Sequence, residues 1–307
     1  MSTAAHAVLR PVLRPPIATG ASNTASTRDS SATSPPSPTR YLDRGGQRVA
    51  WDVRNPGHSP FVLVPGIGEN RGSYRHLASE LTEAGFTVYT MDLRGHGQSD
   101  AGFSSYTPDD IGDDVVALLD AEDLTDAVLV GNSISGASVS WAAAAAPQRV
   151  ARVVLLNPFV RDMPADRWMR PLVPLLFANL WGVWVWAQYR KTLFITEPGD
   201  HTTAEPKLLE EMREEGRLAA LRAMMRASKA PVTARLATVQ TPALIIMGDR
   251  DPDYPDPQAE GEHVAQLLGG PARVSLMPEC GHYPQAEHPV ATARLLIGFA
   301  AETSHGA

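Results

Sequence analysis

Residues 129–138 read LVGNSISGAS, the point where the apolar run beginning at Asp126-Ala-Val-Leu-Val meets an alanine-rich stretch, ISGASVSWAAAAA, over 134–146. A short run of β-branched residues and Leu suits a buried strand, and a run of alanines lets a helix lie close against a sheet. The stretch is therefore a strand-to-helix turn with Ser133, Ser135 and Ser138 near its corner. A serine hydroxyl is a weak nucleophile until a base takes its proton and an acid holds that base. Whether one of these serines is such a nucleophile depends on what the rest of the chain supplies.

Outward from this turn, apolar runs and helical patterns alternate from Tyr41 onward. Strands are expected near 47–54, 60–65, 86–91, 126–131, 151–157, 243–247 and 272–277. Helices are expected at 73–84, 108–120, 134–146 and 289–304, the second opening with Thr107 as N-cap, Pro108 in its first turn and Asp109 and Asp110 at the positive end of its dipole. That alternation predicts an α/β fold with a mostly parallel central sheet flanked by helices. The rhythm stops between 158 and 240, where two apolar stretches and one acidic-basic helix, EPKLLEEMREEGRLAALRAMMRASK, carry no strand pattern. We read 158–239 as a helical cap inserted between two strands, with 41–157 and 240–307 forming the core.

At 307 residues, 43% hydrophobic and 20% charged, the chain can bury a sizeable core. A net charge of −7 and no Lys/Arg-rich run speak against nucleic acid as a partner. Cys280 is the single cysteine, which excludes an intrachain disulfide framework and a thiolate metal cluster and makes the cytoplasm the default location. Residues 1–40, rich in Ala, Ser, Thr and Pro, read as a disordered tail. Arg10, Arg14, Arg28 and Arg40 against Asp29 allow a transit peptide as the alternative, and no continuous apolar segment marks a secretory signal.

Gly131-Asn132-Ser133-Ile134-Ser135 matches the small-x-Ser-x-small elbow, whose tight turn lifts the central hydroxyl above the sheet. Ser133 is thus the candidate; Ser135 falls inside the helix as the second small residue, and Ser138 lies farther in. Two more loops follow strands at what would be the same sheet edge: Gly248-Asp249-Arg250-Asp251-Pro252 and Cys280-Gly281-His282-Tyr283-Pro284. Asp92-Leu-Arg94-Gly95-His96-Gly97-Gln-Ser99 and Val64-Pro65-Gly66-Ile67-Gly68 complete a set of motifs in order. From about 45 to 304 the chain resembles an α/β-hydrolase with an inserted cap.

The resemblance implies a triad in the order Ser133, Asp251, His282, Asp251 being selected among Asp249, Asp253 and Asp256 by the family's G-x-x-D spacing from Gly248. It also implies an oxyanion hole from the backbone amides of Ile67 and Ile134, no metal and no cofactor. His96 then belongs to a structural loop, and His288 caps the last helix. Two departures stand out: Pro65-Gly66 replaces the family's usual His-Gly, and Ser135 stands where Gly is commoner. Cys280 reads as a small buried residue, and the acidic run Glu210–Glu215 as a solvated helix face.

From Pro171 to Tyr189 the predicted cap carries no charge, and Trp168, Trp181, Trp184 and Trp186 fall in or beside it. Its length is at the lower limit for a membrane span, and Pro171 and Pro174 interrupt its start, so a span is not expected; contact with a membrane interface is the alternative. The preferred reading is an aromatic roof over Ser133 that receives a hydrophobic small molecule. The expected activity is hydrolysis of a carboxylic ester or related acyl bond. The alternatives are a C–C hydrolase of the meta-cleavage type, which the elbow and the run 281–288 also resemble but whose oxyanion loop is longer, and a sensor that keeps the triad with little turnover.

Overall fold

The computed structural model describes residues 38–302 apart from residues 56 and 58. The predicted tail lies outside the described residues except for its last three, and Arg40 already opens a strand. Strands β1 (Arg40–Asp43), β2 (Arg48–Arg54), β3 (Pro60–Val64), β4 (Thr87–Met91), β5 (Ala127–Asn132), β6 (Val150–Leu156), β7 (Ala243–Gly248) and β8 (Ala272–Met277) form one sheet in the order β1-β2-β4-β3-β5-β6-β7-β8. The β1–β2 and β2–β4 pairs are antiparallel and the remaining pairs parallel. β1 was not expected: in RYLD only Leu42 is buried, so an edge strand of this kind has almost no apolar pattern to announce it.

The inner strands β3, β4, β5 and β7 are buried at every position, as parallel strands covered on both faces must be. Alternation divides their side chains between two cores. Val62, Val64 and Leu129 pack with Ile111, Val115 and Val139 from helices Pro108–Ala121 and Ile134–Ala145. Phe61, Leu63, Val128 and Val130 pack with Leu77, Leu81, Leu296 and Phe299 from helices Arg75–Glu83 and Pro289–Ala301. Helix Pro108–Ala121 starts at a capping box: the Asp110 amide donates to the Thr107 hydroxyl oxygen and the Thr107 amide to Asp110 Oδ2, at 3.4 and 3.0 Å. Because β3 pairs with both β4 and β5, the chain reverses its winding there, and a crevice opens beyond the carboxyl ends of these strands.

Between β6 and β7 the described residues form helices and no strand, chiefly Gly182–Thr192, His201–Glu211 and Arg217–Arg226. Val173, Phe177, Trp186, Met212 and Leu221 give this insertion its own apolar cluster. The single helix expected over 205–229 is two. Gly216 breaks it at φ +84°, a left-handed turn that glycine adopts without steric cost and that lies against Ala101. The acidic run is not wholly solvated either: Met212 is buried, and Glu211 accepts a 2.7 Å hydrogen bond from Asn70 Nδ2. The insertion is fastened to the sheet edge by a buried ion pair, Arg190 Nε to Glu69 Oε1 at 2.5 Å, and by the Arg75–Asp200 pair. No helix among the described residues is long and apolar enough to cross a membrane.

Candidate active site

Ser133 follows the last residue of β5 with φ 57° and ψ −124°, a conformation that costs a non-glycine residue about 1–3 kcal/mol and persists only where the surroundings impose it. They do so by bonding its backbone: the Ser133 amide donates to the Leu156 carbonyl at 2.9 Å, and its carbonyl accepts from Gly136 and Phe159. The elbow needs small neighbours because a Cβ on Gly131 would sit 2.2 Å from the Ser135 carbonyl oxygen. Ser135, the departure noted above, has its own partner: its hydroxyl donates to the Pro65 carbonyl at 2.5 Å, tying the elbow helix to the loop after β3.

His282 lies in the loop after β8. Its Nδ1 is 2.6 Å from Asp251 Oδ2, and both residues are buried. Burial opposes the imidazolium, but the charge and hydrogen bond of Asp251 and the charge of Asp253 outweigh it and lift His282 to about 9. The neighbouring aspartates have separate places. Asp249 accepts from the Cys280 amide, and Asp256 caps helix Pro257–Leu267 by accepting from the Ala259 amide at 3.0 Å. Asp253 Oδ2 stands 3.7 Å from His282 Nδ1, and its carboxylate accepts from the Tyr189 hydroxyl at 2.7 Å. Burial and the charge of Asp251 raise Asp253 above the usual carboxylate range.

The histidine loop is held on several sides. Asn132 Nδ2, beside the serine, donates to the His282 carbonyl at 3.0 Å, and Asn157 Nδ2 donates to the Gly281 carbonyl at 2.9 Å. The His282 amide donates 2.8 Å to the Leu193 carbonyl of the insertion. The buried Glu287 carboxylate gathers the amides of Gly281, Tyr283, Ile195 and Thr196 at 3.0, 3.2, 2.9 and 3.0 Å. Cys280 is buried beside this clamp, where loss of solvent and the charge of Glu287 push its thiol up, so a thiolate is suppressed. His288 stands at the N-cap position of the following helix, where its carbonyl accepts from the Thr292 amide, but its side chain makes no capping bond and its Nε2 donates instead to the Glu279 carbonyl at 3.0 Å.

The loop after β3 is set by His96. The Gly68 amide donates to His96 Nε2 at 3.0 Å, so the proton sits on Nδ1, which donates to the Arg94 carbonyl at 3.1 Å. Burial drives the His96 pKa down to about 4 and keeps the ring in this neutral form. Ile67 and Ile134 both face, with Ser133 and His282, a cavity of about 130 Å³ walled by Phe159, Leu193, Met224 and Met225. Its polar margins are the Tyr189–Asp253 pair and Lys229, whose Nζ is 3.2 Å from Asp166.

Of the four tryptophans expected over the nucleophile, the structure brings Trp186 to the cavity and leaves Trp168, Trp181 and Trp184 exposed on the outer surface. Helical spacing explains the split on one helix: Trp184 and Trp186 are two residues and about 200° apart. Lys229, Tyr189, Asp253, Asn132 and Glu287 were not singled out from the sequence as site residues. Each is a polar residue with at least one partner far along the chain, and only the nearness of Asn132 to Ser133, of Asp253 to the G-x-x-D run and of Glu287 to His282 offered a signal.

A doubly wound sheet with an elbow serine, a buried His–Asp pair and an inserted helical segment at its carboxyl edge defines a hydrolase-like α/β scaffold. The model of the alpha/beta hydrolase family matches residues 61–295. The chain belongs to that family. It is 28% identical over 261 residues to the dihydrolipoyllysine-residue acetyltransferase component of the acetoin cleaving system of Pseudomonas putida, covering 83% of this chain and 67% of that one. To 3-oxoadipate enol-lactonase 1 of Acinetobacter baylyi it is 26% identical over 216 residues, 68% of this chain and 78% of the other. The crystal structure of a hydrolase from Pseudomonas aeruginosa superposes with a TM-score of 0.70 at 27% identity, spanning 86% of this chain and 99% of the other.

Proposed function

We propose that the protein is a serine hydrolase that cleaves a carboxylic ester, or a related acyl bond, of a small hydrophobic molecule through an acyl-enzyme. One observation carries the reading: the buried His282–Asp251 pair, 2.6 Å apart, opens on the same cavity as a serine held at φ 57°. His282 Nε2 takes the Ser133 proton as Oγ attacks the carbonyl, and the carboxylates beside Nδ1 stabilise the imidazolium so formed. The amides of Ile67 and Ile134 receive the oxyanion, each worth on the order of 3 kcal/mol. His282 then protonates the leaving oxygen as its bond to the acyl carbon breaks, and water releases the acid and restores Ser133.

The walls support an apolar acyl group. The enol-lactonase relative is named for a cyclic ester, in keeping with this bond class. Fluorophosphonate labelling followed by peptide mapping tests the reading. The adduct is expected on Ser133, and Ser133→Ala is expected to lose it together with roughly 10⁴-fold or more of p-nitrophenyl acetate hydrolysis. An adduct on another residue refutes the site, and stoichiometric acylation without turnover turns the reading to a ligand sensor.

A further inference from the structure

Three tryptophans of the insertion face away from the cavity and have no part in the proposed chemistry. Among the described residues twelve large hydrophobic side chains are exposed, and nine of them lie between Trp168 and Ile195. Exposure reaches 70% at Trp168, 63% at Leu175, 91% at Leu180 and 65% at Trp184. A folded protein rarely leaves so many apolar side chains together in water without a partner for them.

The charge of the same segment says which partner. Residues 167–196 contain Arg167, Arg170, Arg190 and Lys191 and no acid, a local charge of +4 in a chain whose net charge is −7. Arg170 and Arg190 are committed to Asp162 and Glu69. Arg167 and Lys191 are exposed, and the Arg167 guanidinium lies over the Trp168 ring, 5.1 Å from its centroid. The acids that bound the segment are Asp166, tied to Lys229, and Glu197; between them tryptophan and leucine interspersed with the exposed cations Arg167 and Lys191 suit the boundary between acyl chains and anionic headgroups. A second copy of the chain fits less well, because a two-fold contact would set this cationic face against itself.

We propose that the outer face of the insertion, around Trp168, Leu180 and Trp184, docks on an anionic lipid surface. No described helix can span a bilayer, so the contact is peripheral. Helix Gly182–Thr192 carries Trp184 outward and Trp186 and Tyr189 to the cavity, so docking would set the cavity wall beside the layer in which hydrophobic small molecules concentrate. The inference does not depend on turnover.

Co-sedimentation of the full chain with phosphatidylcholine vesicles, with and without phosphatidylglycerol, is the test. The protein should pellet with the anionic vesicles and bind neutral ones roughly tenfold more weakly. The triple variant Trp168→Ser, Leu180→Ser, Trp184→Ser should lose at least about tenfold of the anionic-vesicle binding while keeping the parent's circular dichroism and thermal midpoint. The pair Arg167→Gln, Lys191→Gln, which leaves the apolar face intact, should remove the preference for phosphatidylglycerol. Protein that stays in the supernatant with both vesicles overturns the proposal, as does a folded triple variant that binds like the parent. Light scattering that finds a dimer dissociated by the triple variant also overturns it, assigning the face to a second copy.

Discussion

Replacing Glu287 by Ala would remove the acceptor for four backbone amides at once, two in the histidine loop and two in the insertion. The amides of Gly281 and Tyr283 are buried, and each stranded donor there costs about 1–3 kcal/mol. Those of Ile195 and Thr196 are only partly buried, and water can replace much of what they lose. The sum is about 4 kcal/mol, which for a domain of this size lowers the thermal midpoint by roughly 8–16 °C. Activity should fall further than stability, because His282 sits between Gly281 and Tyr283, and a shift near 1 Å at the imidazole costs on the order of 100-fold. Glu287→Gln keeps one acceptor oxygen and should lie between parent and Ala. Thermal unfolding by circular dichroism and kcat on p-nitrophenyl acetate at 25 °C measure the two effects. A Glu287→Ala protein within about 1 kcal/mol of the parent, with kcat retained, would show that this clamp does not hold the histidine.

Two predictions concern pH. Carboxylates raise His282 above its ordinary value of 6.5, and a base must be neutral, so kcat/KM should rise with pH along a limb lying above 6.5. Asp253→Asn removes one of the raising charges and should move that limb to lower pH; a limb that stays put or moves upward contradicts the assignment of Asp253. His96 behaves in the opposite sense. Its folded pKa of about 4 lies below the unfolded 6.5, so between these values the unfolded chain binds more protons, and stability falls as pH drops through that window by up to about 3 kcal/mol. Urea unfolding at neutral pH and near pH 4 should show a smaller acid loss in His96→Asn than in the parent, and equal losses would exclude a buried neutral imidazole.

What the chain order makes legible is local. Apolar runs of strand length placed the inner strands, because β-branched residues buried on both faces need no partner to be recognised. Thr107-Pro108-Asp109-Asp110 announced a helix start, since its capping partners lie within one turn. The tight turn at Ser133 was legible because small residues around a strand-to-helix corner leave few other conformations, and the matching motifs supplied the family. β1 was missed because RYLD acquires its meaning only from pairing with β2, and the break at Gly216 because a glycine in a helical pattern reads the same whether or not the chain turns there.

The rest depended on distances between residues far apart in sequence. Four aspartates follow β7 within eight residues, and their composition does not say that Asp251 meets His282, Asp249 holds the loop, Asp253 meets Tyr189 and Asp256 caps a helix. Four tryptophans in one apolar segment look alike until packing turns Trp186 inward and leaves the other three in solvent. Propensity and periodicity are properties of neighbours along the chain, so they survive in the bare order of residues. Which carboxylate faces which imidazole, and which ring faces water, follows from how sheet and insertion close on each other, and that is settled only when the chain has folded.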